Sequence, residues 1–313
     1  MENIIPPVDK ALLEKELNDS RFVRRTNKGH NEIYIVTHHN SPNVMREIAR
    51  LREVTFRRAG GGTGKSMDID HFDTRENPSK QLIVWEPRNL EIIGGYRFTN
   101  VGQAPKLPDG SPDCATSKLF RLSERFTRDF APYTIELGRS FVQPDYQPMV
   151  NGRKGLFSLD NLWDGLGALI VENPEIKYFF GKMTMYPHFN RQARDIILYF
   201  LYKYFPDKDN LGTPIRAVEM ETDMEKLEKI FNGGNYGADY KLLIHTLREY
   251  NEAIPPLINA YMNLTATMRI FGTAINDGFG LVEETGLLVT IGDIYETKKE
   301  RHLVTYQKDS TRE

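Results

Sequence analysis

The sequence predicts a mixed fold of the α+β or α/β class. Amphipathic helices alternate with apolar strands along the chain, and neither an internal repeat nor a low-complexity tract interrupts them. Two strands predicted at 81–85 and 90–98 are separated only by Glu86-Pro87-Arg88-Asn89, a length that favours an antiparallel hairpin. With 313 residues and 40% hydrophobic side chains, the chain can bury a substantial core.

The first half of the chain begins with a polar arm. Residues 1–29 form this arm, with a short helix at 9–17, and residues 32–37 form a strand. Ser41 and Pro42 supply an N-cap and a first-turn proline for a helix whose apolar stripe has helical spacing, namely Val44, Ile48, Leu51 and Thr55. After the hairpin, a loop at 99–116 and a short helix at 117–125 lead to a strand at 133–142.

The second half continues the alternation of helices and strands. A helix begins near Ser158 or Asp160, a strand follows at 176–185, and Asn190 can cap the next helix. A charged, proline-containing stretch at 206–214 is a candidate seam. The elements expected beyond it are a strand near 215–220, helices at 224–231, 239–250 and 256–268, and strands at 268–274 and 286–291.

Charge and cysteine content exclude several classes of protein. The formal net charge of -2 gives no indication of a nucleic-acid partner. The single cysteine, Cys114, excludes an internal disulfide and a cysteine-based zinc site, and no metal is expected. We find neither a signal peptide nor an apolar run long enough to span a membrane, so we expect a cytoplasmic protein.

Residues 59–66, Ala-Gly-Gly-Gly-Thr-Gly-Lys-Ser, match the loose pattern of a phosphate-binding loop. Such a loop needs a buried strand before it and a helix N-terminus after it. Here the preceding residues are predicted as a charged amphipathic helix, and the carboxylates of Asp68, Asp70 and Asp73 would repel a nucleotide. The sequence therefore favours a flexible loop that gates a substrate over nucleotide hydrolysis.

The strand at 133–142 carries two charges in an apolar run. Glu136 and Arg139 lie three residues apart, so strict alternation places them on opposite faces. Charges buried in such a strand cost free energy unless they are paired or used in chemistry. The segment is therefore either an edge strand with an ion pair or part of a functional site.

A series of motifs occurs in a fixed order along the chain: Leu51-Arg52-Glu53-Val54-Thr55-Phe56, Asp68-Ile69-Asp70-His71-Phe72-Asp73, Gly94-Gly95-Tyr96-Arg97-Phe98, Glu136-Leu137-Gly138-Arg139-Ser140 and Val142-Gln143-Pro144-Asp145-Tyr146. This order resembles the branch of GNAT acyltransferases that includes the ornithine-lipid-type (hemolysin-like) amino-acid N-acyltransferases, relatives of the acyl-homoserine-lactone synthases. Residues 254–264 and 277–280 resemble the C-terminal part of the lipid-forming members. The resemblance thus extends from roughly residue 30 to residue 300.

The resemblance implies a GNAT-like central sheet, mixed but mostly antiparallel and flanked by helices, with a C-terminal extension packed on it. It divides the chain into the arm at 1–29, an acyltransferase core at 30–205 and a C-terminal part at 206–313 that completes the same unit.

The implied reaction moves a long-chain (3-hydroxy) fatty acyl group from acyl carrier protein to the α-amino group of a small amino acid, of the ornithine or glycine type. The product is a lyso amino-acid lipid. Acyl carrier protein, with its phosphopantetheine thioester, is then a co-substrate, and no cofactor is bound permanently. Since the product is a single-chain amphiphile, peripheral contact with the inner face of the cytoplasmic membrane is a further expectation. The alternatives are an acyl-homoserine-lactone-type synthase and a non-catalytic lipid- or carrier-binding or membrane-active protein.

Amide formation needs a base for the amine and donors for the developing oxyanion. Glu136 is the predicted general base, and backbone N–H groups from Ser140 to Val142 are the predicted donors. The resemblance places the remaining charged residues near the active site, namely Arg52, Asp70, Asp73, Arg97 and Arg139. We expect Arg52 and Arg97 to form ion pairs with the two aspartates. Arg139 is expected either to order Glu136 from a neighbouring strand or to bind the acceptor's carboxylate through two hydrogen bonds.

The residues that bind the acyl donor are predicted less completely. Arg153 and Lys154 lie in a loop that is longer than the phosphate-binding turn of ordinary GNAT enzymes. They are predicted to meet the pantetheine phosphate or the acidic surface of the carrier. Tyr186 and His188, at the end of the strand 176–185, are the candidates for a general acid.

Overall fold

The computed structural model describes residues 1–147 and 155–306. Its internal contacts divide the chain into two compact units. Unit 1 contains Met1–Ala104, Tyr133–Lys177 and Tyr295–Glu313, and unit 2 contains Pro105–Pro132 and Tyr178–Ile294. Each unit is therefore assembled from segments distant in sequence, whereas the predicted parts are contiguous stretches.

The strands are β1 (Phe22–Arg25), β2 (Glu32–Val36), β3 (Lys80–Glu86), β4 (Glu91–Asn100), β5 (Phe120–Leu122), β6 (Thr134–Val142), β7 (Tyr178–Met185), β8 (Gly212–Pro214), β9 (Arg269–Asn276) and β10 (Val282–Thr290). The helices are α1 (Lys10–Glu16), α2 (Pro42–Arg58), α3 (His71–Thr74), α4 (Ser158–Glu172), α5 (Arg191–Tyr204), α6 (Met224–Ile230), α7 (Tyr236–Glu249), α8 (Pro256–Met262) and α9 (Glu296–His302). The predicted mixed α+β class with mostly antiparallel strands is confirmed.

Unit 1 is built on strands in the order β1-β2-β3-β4-β6, and each neighbouring pair is antiparallel. The hairpin β3–β4 and the strand β6 agree with the sequence prediction. Helices α2 and α4 pack on these strands. The apolar side chains of the sheet are almost completely buried, among them Ile33, Leu82, Val84, Trp85 and Ile92.

The N-terminal segment is bonded to the rest of unit 1 rather than extended as an arm. Helix α1 begins as predicted, with the Asp9 carboxylate accepting a hydrogen bond from the backbone N–H of Ala11. Further upstream, the backbone N–H of Glu2 donates to the Gly64 carbonyl at 2.8 Å. Strand β1, also in this segment, pairs with β2 and forms the first strand of the order.

Unit 2 contains three adjacent antiparallel strands in the order β7-β10-β9 and a separate pair, β5 with β8. Helix α5 begins where the sequence predicts it, because the Asn190 side chain accepts hydrogen bonds from the backbone N–H groups of Gln192 and Ala193. An aromatic cluster fills the core beside β7, where the ring of Phe180 lies 4.9 Å from that of Phe126 and 5.9 Å from that of Phe271.

Several short elements of unit 2 differ from the prediction. The segment 117–125, predicted as a helix, contains strand β5, because Phe120–Leu122 pairs with Gly212–Pro214. The same pairing replaces the strand predicted at 215–220 with the shorter β8. The helix predicted at 256–268 ends at Met262. Pairing with distant residues outweighs local propensity in such short segments. Along the described chain, no helix has both the length and the apolar content needed to span a membrane.

Candidate active site

A β-bulge in β6 shapes the centre of unit 1. Arg97 pairs with Gly138 and Gly95 pairs with Phe141, so two steps along β4 face three steps along β6. Arg139, inside the bulge, has a left-handed backbone with φ of 50°. A Cβ atom on Gly94 would lie 2.3 Å from the Phe141 carbonyl oxygen, which explains a glycine at this close approach.

The bulge corrects the prediction made for Arg139. Strict alternation would place Arg139 on the face opposite Glu136. Instead, its Nε atom lies 2.7 Å from Asp68 and its Nη2 atom 3.7 Å from Asp70. Asp70 also binds Arg97, which shares a sheet face with Gly138 and therefore with Glu136. The extra residue of the bulge thus brings Arg139 to the charge cluster beside Glu136.

A buried network of ion pairs lies on this face of the sheet. The guanidinium of Arg52, on α2, lies 3.3 Å from both carboxylate oxygens of Asp73 and also donates to the Gln81 side chain. Gln81 in turn donates to Asp73 at 3.0 Å, and Arg97 reaches the same carboxylate at 3.3 Å. Arg52 and Asp73 have no exposed surface. The expected ion pairs among the charged motifs are therefore present.

Asp70 extends the network toward the surface. Its carboxylate lies 2.7 Å from Arg97 and also accepts hydrogen bonds from the backbone N–H groups of Phe72 and Asp73. The Asp73 side chain reciprocates by accepting from the backbone N–H of Asp70. This capping box fixes the short helix α3 above the sheet.

The electrostatics of the network keep its carboxylates ionised. Burial acts to raise the pKa of Asp73, but the positive charges of Arg52 and Arg97 outweigh this effect, so that the pKa is lowered. The pKa of Asp70 is lowered in the same way, against burial, chiefly by Arg97. For Arg97 the two carboxylates outweigh burial and raise the pKa. These groups are therefore fixed charges that do not exchange protons near neutral pH.

Glu136 lies beside this network. It pairs directly across from Thr99 on β4, two positions from Arg97 on the same face, and only 4% of its surface is exposed. The hydroxyl of Thr99 is hydrogen-bonded to that of Ser79 at 2.7 Å. Glu136 is thus a nearly buried carboxylate on the same face of the sheet as Arg97.

The other predicted site residues are Ser140, Val142, Arg153 and Lys154. Val142 pairs with Gly94 of β4, and its carbonyl accepts a hydrogen bond from the Gln147 side chain at 2.8 Å. Ser140 lies at the bulge, half-buried. Arg153 and Lys154 lie outside the described residues.

Tyr186 and His188 belong to unit 2. Their rings stack with centroids 6.1 Å apart. Burial, and then the negative charge of Glu284, raise the pKa of Tyr186 to about 12. Tyr186 is therefore a neutral hydrogen-bond donor at physiological pH and a weak acid.

The glycine-rich loop is held by an internal carboxylate. Glu53, on α2, accepts hydrogen bonds from the backbone N–H of Thr63 at 3.0 Å and of Gly64 at 2.8 Å, and it pairs with Arg57 at 2.9 Å. Burial acts to raise the pKa of Glu53, but these hydrogen bonds lower it. Backbone amides that would cradle a phosphate thus bind a carboxylate of the same chain. The expectation of a flexible loop is corrected accordingly.

Sequence reasoning omitted three residues from the predicted site, namely Glu53, Asp68 and Gln81. The sequence does carry an indication for Asp68 and Gln81. Asp68 stands two residues before Asp70 in a chosen motif, and Gln81 is the one amide in the apolar strand β3. Glu53 also stands in a chosen motif, but its role was not predictable, because its partners lie in a loop ten and eleven residues further along the chain.

Comparison with known proteins agrees with this architecture. A family model described as acetyltransferase (GNAT) domain matches residues 51–151. The glycine N(alpha)-acyltransferase of Phocaeicola vulgatus is 55% identical over 308 residues, covering 98% of this chain and 94% of that protein. The glycine N(alpha)-acyltransferase of Bacteroides thetaiotaomicron is 55% identical over 307 residues, covering 98% and 91%.

Two solved structures are also similar. The acyl-homoserine-lactone synthase LasI is 10% identical, with a TM-score of 0.42, covering 90% of this chain and 99% of that chain. FeeM, an N-acyl amino acid synthase from uncultured soil microbes, is 9% identical, with a TM-score of 0.38, covering 88% and 96%.

The antiparallel sheet with its bulged, glutamate-bearing strand and the matched domain define an acyltransferase of the GNAT class. Within that class, the extent and identity of the two curated relatives settle the family. The chain belongs to the family of the glycine N(alpha)-acyltransferases.

Proposed function

We propose that this enzyme transfers a long-chain (3-hydroxy) fatty acyl group from acyl carrier protein to the α-amino group of glycine. The names of the two 55% identical relatives support glycine as the acceptor, in preference to ornithine. The carrier-bound donor follows from the resemblance found in the sequence. The product is an N-acylglycine, a single-chain amphiphile, and a contact with the cytoplasmic membrane surface belongs to the same proposal.

In the proposed mechanism Glu136 accepts a proton from the glycine ammonium group. The neutral amine then attacks the thioester carbonyl, forming the C–N bond and a tetrahedral oxyanion. Backbone N–H groups between Ser140 and Val142 stabilise this charge. Collapse breaks the C–S bond. The attacking nitrogen loses its second proton to solvent, which leaves a neutral amide, and the departing pantetheine thiolate takes a proton from solvent.

The buried network acts as the support of the base. Arg97 and Arg139 bind carboxylates delivered by the segment 68–73, and both arginines come from the strands that flank or carry Glu136. Locked ion pairs fix the backbone of β6, so that the carboxylate keeps one position while the substrates change. Arg153 and Lys154 remain the predicted contacts of the carrier.

The observation that carries the proposal is the nearly complete burial of Glu136 on a strand fixed by these ion pairs. The test is incubation of the purified full-length chain with a long-chain acyl carrier protein and a panel of amino acids, followed by mass spectrometry. We expect N-acylglycine as the main product. If acyl carrier protein binds tightly and no amino acid is acylated, the chain is a binding protein and the proposal is wrong.

A further inference from the structure

Gly138 lies in the interior of β6 at a position where neither the backbone nor a neighbour requires a glycine. The left-handed residue of the bulge is Arg139, and Gly138 itself has no positive φ. A Cβ atom added to Gly138 would have no atom of the described chain within 4 Å. Gly94 and Gly95 of β4 differ, because a Cβ atom there would lie 2.3 Å and 2.6 Å from backbone carbonyl oxygens. A strand glycine without such a need is typical of a place where a ligand approaches the backbone closely.

The space over Gly138 lies on the face of the sheet that carries the predicted base. Gly138 stands two positions after Glu136, so an added Cβ atom would project on the same face as the Glu136 side chain. Arg97 pairs directly across from Gly138 and projects on this face too. Strand β6 is buried as far as Leu137 and half-buried from Gly138 to Ser140. The space over Gly138 therefore adjoins both the base and solvent.

The charges beside this space favour an ammonium group next to Glu136. The ion-pair cluster consists of three arginines and three aspartates, namely Arg52, Arg97, Arg139, Asp68, Asp70 and Asp73. Their formal charges cancel, so the carboxylate of Glu136 is an additional negative charge beside a neutral cluster. An ammonium group over Gly138 would compensate that charge.

Arg139 is the arginine of the cluster that a ligand in this space can reach. Its side chain is 14% exposed, whereas those of Arg52 and Arg97 are 1% and 4% exposed. It follows Gly138 directly in the chain, and the bulge brings it to the cluster beside Glu136. A guanidinium binds a carboxylate through charge-assisted hydrogen bonds. The two sides of the space over Gly138 thus match the two charges of an α-amino acid.

We propose that the acceptor amino acid binds in the space over Gly138, with its ammonium group at Glu136 and its carboxylate at Arg139. The missing Cβ atom of Gly138 leaves space for the α-carbon of the acceptor between these two side chains. Gly138 is therefore a residue that determines acceptor binding, although it contributes no side chain to the site. This inference rests on the proposed function, since it assigns an amino-acid acceptor.

The test compares steady-state kinetics and calorimetric melting of three variants with those of the wild-type chain. Gly138→Ala adds one methyl group to the space, where it meets no atom of the described chain. Gly138→Val fills more of the space with a side chain that strands favour. Gly292→Ala is the matched control, because its Cβ atom would also have no described atom within 4 Å and the residue belongs to unit 2.

We expect Gly138→Ala to raise the KM for glycine about tenfold, the lower end of the effect of one carbon in a substrate site, and Gly138→Val to raise it further. The KM for acyl carrier protein should stay unchanged. The Tm of Gly138→Ala should not fall, because the added methyl group displaces nothing in the folded chain and restricts the unfolded chain. Gly292→Ala should leave every kinetic constant unchanged. Calorimetric titration with glycine, without the acyl donor, should show the same loss of affinity in the two Gly138 variants.

Wild-type glycine constants in both Gly138 variants would overturn the assignment of this space to the acceptor. A raised KM for acyl carrier protein with an unchanged KM for glycine would overturn it as well, because the space would then hold the thioester. A lower Tm in Gly138→Ala would show that the space is not open. A wild-type chain that binds glycine in the titration, loses this binding in Gly138→Val and acylates no amino acid would instead refute the proposed function and support the binding site.

Discussion

Replacement of Asp73 by asparagine removes the central charge of the buried network. In the native chain this carboxylate lies 3.3 Å from Arg52 and from Arg97 and accepts a hydrogen bond from Gln81. After Asp73→Asn, Arg97 keeps Asp70 at 2.7 Å, but Arg52 keeps only the uncharged Gln81 side chain as a close contact. The substitution thus leaves a fully buried guanidinium without its hydrogen-bonded carboxylate, and only the weaker electrostatic interaction with Asp68 remains.

Removal of one partner of a buried ion pair costs about 3–5 kcal/mol, because the remaining charge stays desolvated. We expect a loss of that size in the free energy of unfolding, a large part of the roughly 5–15 kcal/mol typical of a folded domain. The double substitution Arg52→Met with Asp73→Asn removes the unpaired charge as well. It should therefore be less destabilising than the sum of the single substitutions, by about 0.5–3 kcal/mol.

Urea unfolding followed by tryptophan fluorescence measures these changes in unit 1. Both tryptophans of the chain, Trp85 and Trp163, belong to this unit. Asp129→Asn serves as the control, because Asp129 is an exposed partner of Arg128 and its loss should leave stability unchanged. An Asp73→Asn variant that is no more destabilised than this control, or a double variant with strictly additive losses, would contradict the role given to the Arg52–Asp73 ion pair.

Three further predictions follow from the same geometry. The pKa values of Asp70 and Asp73 are lower in the folded chain than in the unfolded chain. Their contribution to stability is therefore complete above a pH of about 4 and is lost as the pH falls further. Measurement of the unfolding free energy at decreasing pH should show this loss, and the loss should be smaller in Asp73→Asn. Glu53→Gln should release the loop 59–66, which limited proteolysis detects as faster cleavage there. Gly94→Ala should cost about 1–3 kcal/mol, because its Cβ would meet the Phe141 carbonyl, and calorimetric melting should show a lower Tm; an unchanged Tm would contradict the bulge geometry.

Local pattern was sufficient to predict much of the fold. The strand 133–142 and the helix that begins at Pro42 follow from apolar periodicity and capping residues, and both lie within a residue or two of the predicted bounds. The predictions for the short segments 117–125 and 215–220 were wrong. Each contains few residues, and the pairing of β5 with β8 joins positions about ninety residues apart, which no local pattern encodes.

The ion pairs of the candidate site were predictable from the sequence only in part. Opposite charges in consecutive motifs indicated ion pairs, and Arg52, Asp73 and Arg97 form them. The position of Arg139 was not predictable, because a bulge depends on how two strands meet and not on the residues of one strand. The conformation of the glycine-rich loop was not predictable either, because it depends on Glu53. The carboxylate of Glu53 accepts hydrogen bonds from backbone N–H groups that a phosphate would need.

The role of Glu136 as the general base is decided by the single-turnover rate of Glu136→Gln with a long-chain acyl carrier protein and saturating glycine. Glutamine has nearly the same size and keeps the strand packed, but it cannot accept the proton of the ammonium group. We expect a rate about 10²–10⁴-fold below that of the wild-type chain, with the unfolding free energy and the affinity for glycine retained. A variant that forms N-acylglycine at the wild-type rate would contradict that role.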